Sequence, residues 1–303
     1  MDADWKTGTG LIFMGFARKI RPVPIFLLLA ACAAPAPPPQ TAAAPQRIVS
    51  LIPAVTETLF AIGAGPKVVG VGSYDTYPAE VATRTRVGGL IDPDTERILS
   101  LKPDLVFLYG SQEDLARQLR AARIRVETYR HGRLSDIISG IREIGAAVGH
   151  AATANDTASA IEGKIAAVRA RVASRPRPST LIIFGREEGT LRGMYASGGQ
   201  GFIHDMVDAA GGRNVFADVG AQNIQAALES VIARRPDLIL EIRAGTTPRS
   251  PTWTDDTIRA WSAAPSIPAV AGGRIRVILD ERVVVPGPRV AEGIELLEQA
   301  IHR

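Results

Sequence analysis

Residues 96–106 read Glu-Arg-Ile-Leu-Ser-Leu-Lys-Pro-Asp-Leu-Val, and residues 229–239 read Glu-Ser-Val-Ile-Ala-Arg-Arg-Pro-Asp-Leu-Ile, 133 positions further on (229 − 96). Glutamate, proline, aspartate and leucine recur at the same offsets. The pairs Ile98/Val231, Leu99/Ile232, Lys102/Arg235 and Val106/Ile239 exchange like for like. Such self-similarity points to one supersecondary unit used twice. In the first copy, Asp92-Pro93 is expected to be an N-cap followed by a proline at the first helical position, Ile98, Leu99 and Leu101 give the apolar face, and Pro103 halts the helix. The apolar run 105–109 is then short enough to be a buried strand.

The rest of the chain alternates in the same manner. Strands are expected over 47–51, 68–71, 104–109 and 126–129, with helices over 53–62, 112–122 and 134–148. Strand–helix alternation implies a mostly parallel sheet covered on both faces. Residues 151–173 differ: Ala154, Ala158, Ile161, Ile165, Val168 and Val172 step by four and three, one apolar stripe on a helix about 30 Å long. Arg175-Pro-Arg-Pro178 forbids its continuation. Beyond it the pattern restarts, with strands over 180–184, 214–216, 237–243 and 274–279, helices over 202–210, 255–263 and 290–302, and a long polar loop over 185–201.

A chain of 303 residues that is 46% hydrophobic can bury two medium cores. Its net charge is +4; residues 1–32 carry four Lys/Arg and two Asp/Glu, which leaves 4 − 2 = +2 for the remainder, and the charges are interspersed. Nucleic acid is therefore not an expected partner. The only cysteine, Cys32, ends a basic stretch (Arg18-Lys19-Ile-Arg21) and an apolar run over 23–31, an export signal too short to span a bilayer. Residues 33–46 are uncharged and rich in alanine and proline, a tether. The expected division is a signal over 1–32, the tether over 33–46, a lobe over 47–150, a connecting helix over 151–175 and a second lobe over 176–303.

There is no GxSxG elbow, no GxxxxGK[ST] loop and no GxGxxG between strand and helix, and the four histidines are isolated. The chain is thus expected to be a binder with no resident cofactor or metal, not an enzyme, although an enzyme or chaperone on a two-lobed scaffold remains the rival. In open α/β sheets ligands sit outside the carboxyl ends of the strands. Tyr74, Tyr109, Arg186, Tyr195 and Arg243 fall there, offering flat apolar contact with a polar tip or bidentate donors. His131 reads as a solvated loop residue. Glu96 and Glu229 open the two repeated helices, one carboxylate per lobe, placed to grip basic residues of a dimeric partner.

The segments Arg47-Ile-Val-Ser-Leu, Pro53-Ala-Val-Thr-Glu-Thr-Leu-Phe-Ala-Ile-Gly-Ala-Gly65, Ser73-Tyr74, Tyr77-Pro78 and the first repeat together resemble the substrate-binding proteins of iron-siderophore, haem and cobalamin ABC importers, over nearly all of 47–302. The resemblance implies an α/β fold of two Rossmann-like lobes, their sheets mostly parallel, joined by one long helix around a cleft that barely closes. It implies a permease dimer with its ATPase subunits as partners and a corrinoid or other metal chelate as the transported ligand. Leu-Ala-Ala-Cys32 resembles a lipobox, which implies acylation of Cys32 and anchorage to a membrane at the periplasmic or cell-surface side. Cobalamin receptors are the nearest in pattern: Tyr74 and Tyr109 stand where they have a tyrosine and a tryptophan, Tyr195 where they have a phenylalanine. Glu96 and Glu229 match the two glutamates that meet permease arginines. Leu90 and Asn223 fall where those receptors carry tryptophans, so a ferric-siderophore or haem ligand stays open; the iron-ligating tyrosine of some haem receptors would fall near Gly89, and its absence counts against haem.

Overall fold

The computed structural model describes residues 44–245 and 252–303, so the expected signal, Cys32 and nearly all of the tether lie outside the described residues. The chain beyond residue 42 forms one compact unit. Its elements run β1 (Ile48–Ser50), α1 (Pro53–Ala61), β2 (Val68–Val71), β3 (Thr85–Arg86), α2 (Thr95–Ser100), β4 (Leu105–Tyr109), α3 (Glu113–Ala121), β5 (Arg125–Tyr129) and α4 (Leu134–Val148). Then come α5 (Ala151–Val172), β6 (Ser179–Gly185), β7 (Met194–Ser197), α6 (Phe202–Ala209), β8 (Arg213–Asn214), β9 (Asn223–Ala226) and α7 (Leu228–Arg234). The chain finishes with β10 (Leu238–Arg243), α8 (Trp253–Ala260), α9 (Pro268–Ala271), β11 (Ile275–Leu279), α10 (Glu281–Val284) and α11 (Val290–His302).

Two sheets result. The first has the order β3-β2-β1-β4-β5 and is parallel throughout. The second has the order β11-β10-β6-β7-β9 with β8 beside β6, and mixes parallel pairs (β11–β10, β10–β6, β6–β8) with antiparallel ones (β6–β7, β7–β9). The polar loop expected over 185–201 therefore contains a strand. Met194 and Ala196 are buried while Tyr195 is half exposed, and four residues of such alternation among glycines and charges give too short a signal.

The repeat survives as a repeated device. Asp104 accepts the backbone N–H groups of Gln46 (2.7 Å) and Arg47 (3.0 Å) at the start of β1. Asp237, its counterpart, accepts the N–H (3.0 Å) and hydroxyl (2.6 Å) of Ser179 at the start of β6. Lys102 (φ 47°) and Arg235 (φ 48°) both turn left-handed just before the proline, ending α2 and α7 alike. The cap of α2 is Asp94, not Asp92: its side chain accepts Arg97 N–H at 2.9 Å, while Pro93 pairs with Gly88 in an isolated bridge. Both residues are capping types two positions apart, and the bridge claims the earlier segment.

The stripe on α5 buries Ala154, Ala158, Ile161, Ile165, Val168 and Val172, the six residues the periodicity selects. All of them but Val172 join one apolar core that includes Ile48, Leu59 and Ile141 from the first half and Ile182, Met206 and Ile294 from the second. Polar links cross between the halves as well. Glu57 and Arg289 form a buried ion pair (Nε to Oε2 2.9 Å) under the Tyr77 ring, whose centroid lies 4.0 Å from the guanidinium carbon. Arg133 meets Asp205 at 2.8 Å, Tyr129 hydroxyl donates to Pro286 carbonyl at 2.7 Å, and Thr76 hydroxyl donates to Glu281 at 2.7 Å. A shared core plus these ties holds the halves at a fixed separation, because sliding would open cavities in close-packed interior.

Candidate functional site

The carboxyl ends of β1, β2 and β4 open onto a cavity of about 300 Å³ lined by Leu51, Tyr74, Asp75, Leu90, Ile91 and Tyr109, among others. Its rim is a tight loop: Gly88 has φ +86° and a Cβ there would lie 2.3 Å from the Asp92 carbonyl, so only glycine lets 88–93 fold back on itself. The loop is tied to the β2 loop by Ser73 N–H donating to Gly88 carbonyl (2.8 Å) and to Gln112 by its amide donating to Leu90 carbonyl (3.1 Å). At the tip Ile91 is 94% exposed, and Tyr74 beside it is 75% exposed. Both are large apolar side chains held out of the core, the signature of a surface kept for contact.

Asp75 is the cavity's unusual member. It is 1% exposed, and neither carboxylate oxygen has a hydrogen-bond partner among the described residues. Burial pushes its pKa up to about 6; Thr56, Arg86 and the Gly72 backbone oppose the rise, and Glu57 adds to it. The Thr56 hydroxyl lies near enough to temper the shift without reaching hydrogen-bonding geometry, and it too is unpartnered. Arg86 Nη1 is directed at the carbonyls of Gly72 (2.9 Å) and Asp75 (2.5 Å), not at the carboxylate. Tyr109 faces the same carboxylate, and burial first, then that negative charge, push its phenol up.

From Tyr109 a run of rings crosses toward the second half. Tyr109 and Tyr129 meet edge-on at 6.2 Å, Tyr129 stacks on His131 at 5.9 Å, and His131 meets Phe202 edge-on at 5.8 Å. His131 is thus half-buried among rings, where a solvated loop residue is expected, and burial pulls its pKa down against the pull of Asp136. His131, Phe184, Tyr195 and Phe202 line a second cavity of about 330 Å³. Phe184 and Tyr195 meet at 6.1 Å because β7 lies against β6.

A third cavity, of about 380 Å³, shares Phe184 and Ala244 with the second and reaches Arg186, Glu241, Arg243 and Trp253. Arg186 and Arg243 converge on one carboxylate. Glu241 is 0% exposed and accepts from Arg186 Nε (2.8 Å), Arg243 Nη2 (2.7 Å) and Trp261 Nε1 (2.6 Å). Arg186 also donates from Nη1 to the carbonyl of Thr190 (2.6 Å) and from Nη2 to that of Thr257 (2.7 Å), and its side chain is 4% exposed. Arg186 therefore acts first as a brace for this end of the cleft; Arg243, at 19% exposure, stands nearer to solvent.

Of the residues expected at the site, Tyr74 and Tyr109 come together in the first cavity, Tyr195 lies in the second, and Arg186 and Arg243 line the third. Glu96 and Glu229 line none of these. They are exposed, each the second residue of its helix (α2 and α7), and neither forms an ion pair among the described residues. Sequence reasoning passes over Asp75, which sits in a stretch that looks solvent-facing. It also passes over Glu241, a charge inside the apolar run 238–242 and for that reason a detectable signal. Among the described residues no three or more His, Cys, Asp or Glu are grouped to hold a metal, and no helix is long and apolar enough to cross a membrane.

Residues 48–281 match the model of a family described as periplasmic binding protein. An ABC transporter substrate-binding lipoprotein of Bacillus subtilis, YvrC, itself uncharacterized, is 29% identical over 85% of this chain and 80% of its own. The vitamin B12-binding protein of Salmonella typhimurium is 32% identical over 65% of this chain and 72% of its own. Among solved structures, the periplasmic heme-binding protein RhuT of a Roseiflexus species, in its apo form, superposes with a TM-score of 0.71 at 28% identity, covering 85% of this chain and 98% of that one.

Proposed function

This chain belongs to the periplasmic binding protein family, and we propose that it is the extracytoplasmic substrate-binding component of an ABC importer, taking a corrinoid between its two halves and delivering it to the permease without chemical change. The observation that carries the reading is the ring lining of two cavities, Tyr74 and Tyr109 in the first and His131, Phe184, Tyr195 and Phe202 in the second, with Tyr109 meeting His131 edge-on at 6.2 Å. Flat rings over apolar walls suit a large macrocycle with apolar faces, and the few polar groups at the rim suit its substituents. The likeness to a B12-binding protein supports the same ligand class. The Roseiflexus protein favours haem as the second reading; Gly89, where the resemblance expects an iron-ligating tyrosine, weighs against it.

Titration of the full chain with cobinamide, cobalamin, hemin and a ferric siderophore, followed by tryptophan fluorescence, tests this. Saturable binding of the corrinoids in preference to the others is expected; hemin or siderophore preference transfers the reading to that class, and no binding removes the receptor role. Glu96 and Glu229 serve in this reading as matched acidic handles for permease arginines, with the helix dipole contributing only about 0.3–1 kcal/mol to either. The paired change Glu96→Ala with Glu229→Ala is expected to leave ligand affinity intact and abolish uptake. Cys32 serves as the acylated anchor, and Cys32→Ser is expected to release the protein from the membrane fraction.

A further inference from the structure

Resting on the reading of Cys32 as an acylated anchor, we infer that the amino edge of the first sheet is a docking face for anionic phospholipid headgroups, and that between deliveries the receptor lies with this edge on the membrane that holds it. Two independent observations support this. First, four adjacent parallel strands are each preceded by a cation: Lys67 ahead of β2, Arg47 ahead of β1, Lys102 ahead of β4 and Arg123 ahead of β5. At about 4.8 Å between neighbouring strands, the row crosses an edge about 14 Å wide. Arg47, Lys102 and Arg123 are exposed, and none of the four forms an ion pair among the described residues. The carboxylates beside them are engaged elsewhere, Asp104 with the backbone N–H groups of Gln46 and Arg47, and Glu127 with Arg125 at 2.6 Å. The helix dipole favours a cation after α2 and after α3. That explains the sign of Lys102 and Arg123 but not of Arg47, which opens a strand.

Second, the chain leaves the body at this same edge. Ala44 lies beside Gly149, and the Gln46 N–H is held by Asp104 within the row. The covalent route to Cys32 therefore starts among these cations, and residues 33–43 can span at most about 40 Å. Cations kept so near an anionic surface are drawn to it, over a range of about 10 Å at 0.1 M salt that shrinks as salt rises. The second sheet carries a comparable set, Arg213 in β8, Arg235 ahead of β10 and Arg274 ahead of β11. Between the two edges runs α5, 22 residues and so about 33 Å long, and the anchor tethers only the first. Glu96 lies in the first turn of α2 and Lys102 just past its end. Resting on the Lys102 edge turns the Glu96 handle away from the membrane, so delivery requires the body to swing about its tether.

The lysines beyond the signal, Lys67, Lys102 and Lys164, supply the readout; Lys164 is exposed in the middle of α5 and serves as the internal reference. The acylated protein is reconstituted on phosphatidylcholine vesicles or on phosphatidylglycerol vesicles, and acetylation of each lysine by an amine-reactive reagent is followed by mass spectrometry. Relative to Lys164, Lys102 is expected to react roughly fivefold more slowly on phosphatidylglycerol than on phosphatidylcholine, and high salt is expected to remove the difference in the wild type, with no variant needed. The paired change Arg47→Gln with Arg123→Gln is expected to abolish the slowing, and Arg213→Gln with Arg235→Gln to preserve it. Equal relative rates on the two lipids, with the protein retained on both, overturn the docking face and leave the anchor reading intact. Slowing that survives high salt, or that the second-half pair removes as fully as the first-half pair, also overturns it. Protein that washes off both kinds of vesicle overturns the anchor and the docking face together.

Discussion

Asp75→Asn is expected to stabilise the ligand-free protein above neutral pH, by an amount that the carboxylate's own titration sets. A folded pKa of about 6 against 3.8 is a shift of roughly 2 units, or about 3 kcal/mol at about 1.4 kcal/mol per unit. The sign follows from linkage. The folded state holds the proton more tightly than the unfolded chain, so this group's contribution to stability is intact below pH 3.8, declines as pH rises through about 6, and is constant beyond. The asparagine amide stays buried without partners and keeps a cost of about 1–3 kcal/mol. The absolute gain at pH 7.5 is therefore smaller than the full shift, while the pH dependence of the difference is not affected by that constant. Urea denaturation of wild type and variant at half-unit steps between pH 4 and pH 8 measures it. The difference in unfolding free energy is expected to move by roughly 2.4 kcal/mol in favour of the variant across that range, with most of the change between pH 4 and pH 6. A difference that is flat with pH refutes the reasoning, because it means the carboxyl titrates alike in the folded and unfolded chains.

Other consequences follow from the ties between the halves. Arg289→Met leaves Glu57 buried and unpaired, with burial, Glu281 and Glu292 already raising its pKa; a loss of about 3–5 kcal/mol in chemical denaturation is expected, and a loss near zero shows that the pair is relaxed by water. Ile161→Ala and Ile165→Ala on α5 are each expected to cost about 2–5 kcal/mol, read by the same method, and to weaken ligand binding only where the halves separate. Glu241→Gln removes the negative charge between two guanidinium groups and is expected to destabilise by about 3–5 kcal/mol; a variant of normal stability refutes the brace assigned to Arg186. The exposed pair of Arg142 and Glu162, in contrast, is expected to be replaceable by alanines with no measurable change in the denaturation midpoint.

Much of the architecture was legible because it rests on periodicity and repetition. The six-residue stripe of α5 and the two Pro-Asp strand starts at 103–104 and 236–237 encode burial and backbone pairing directly, and both appear in the structure as the pattern predicts. Short or capping-driven features were harder. The choice of Asp94 over Asp92 turns on a bridge between Gly88 and Pro93 that no local propensity states, and β7 and β9 are four residues each, paired to one another across more than twenty residues of chain. At the site, the tyrosines stand where strand ends put them, but their neighbours depend on long-range packing. His131 is buried by Phe202 from the second half, and Asp75 by the fold of its own loop under α1. Local sequence carries residue type and not solvent access, and solvent access is what makes Asp75 informative.

The central claim is that the ring-lined mouth between the two sheets holds a corrinoid. Calorimetry of cobinamide binding to the full chain, alongside the variant carrying Tyr109→Ala and Tyr195→Ala, one ring from each half, measures it most directly. One corrinoid per chain in the wild type, with affinity reduced by at least a hundredfold in the double variant, is the result expected; corrinoid binding that survives the loss of both rings, or none in the wild type, contradicts it.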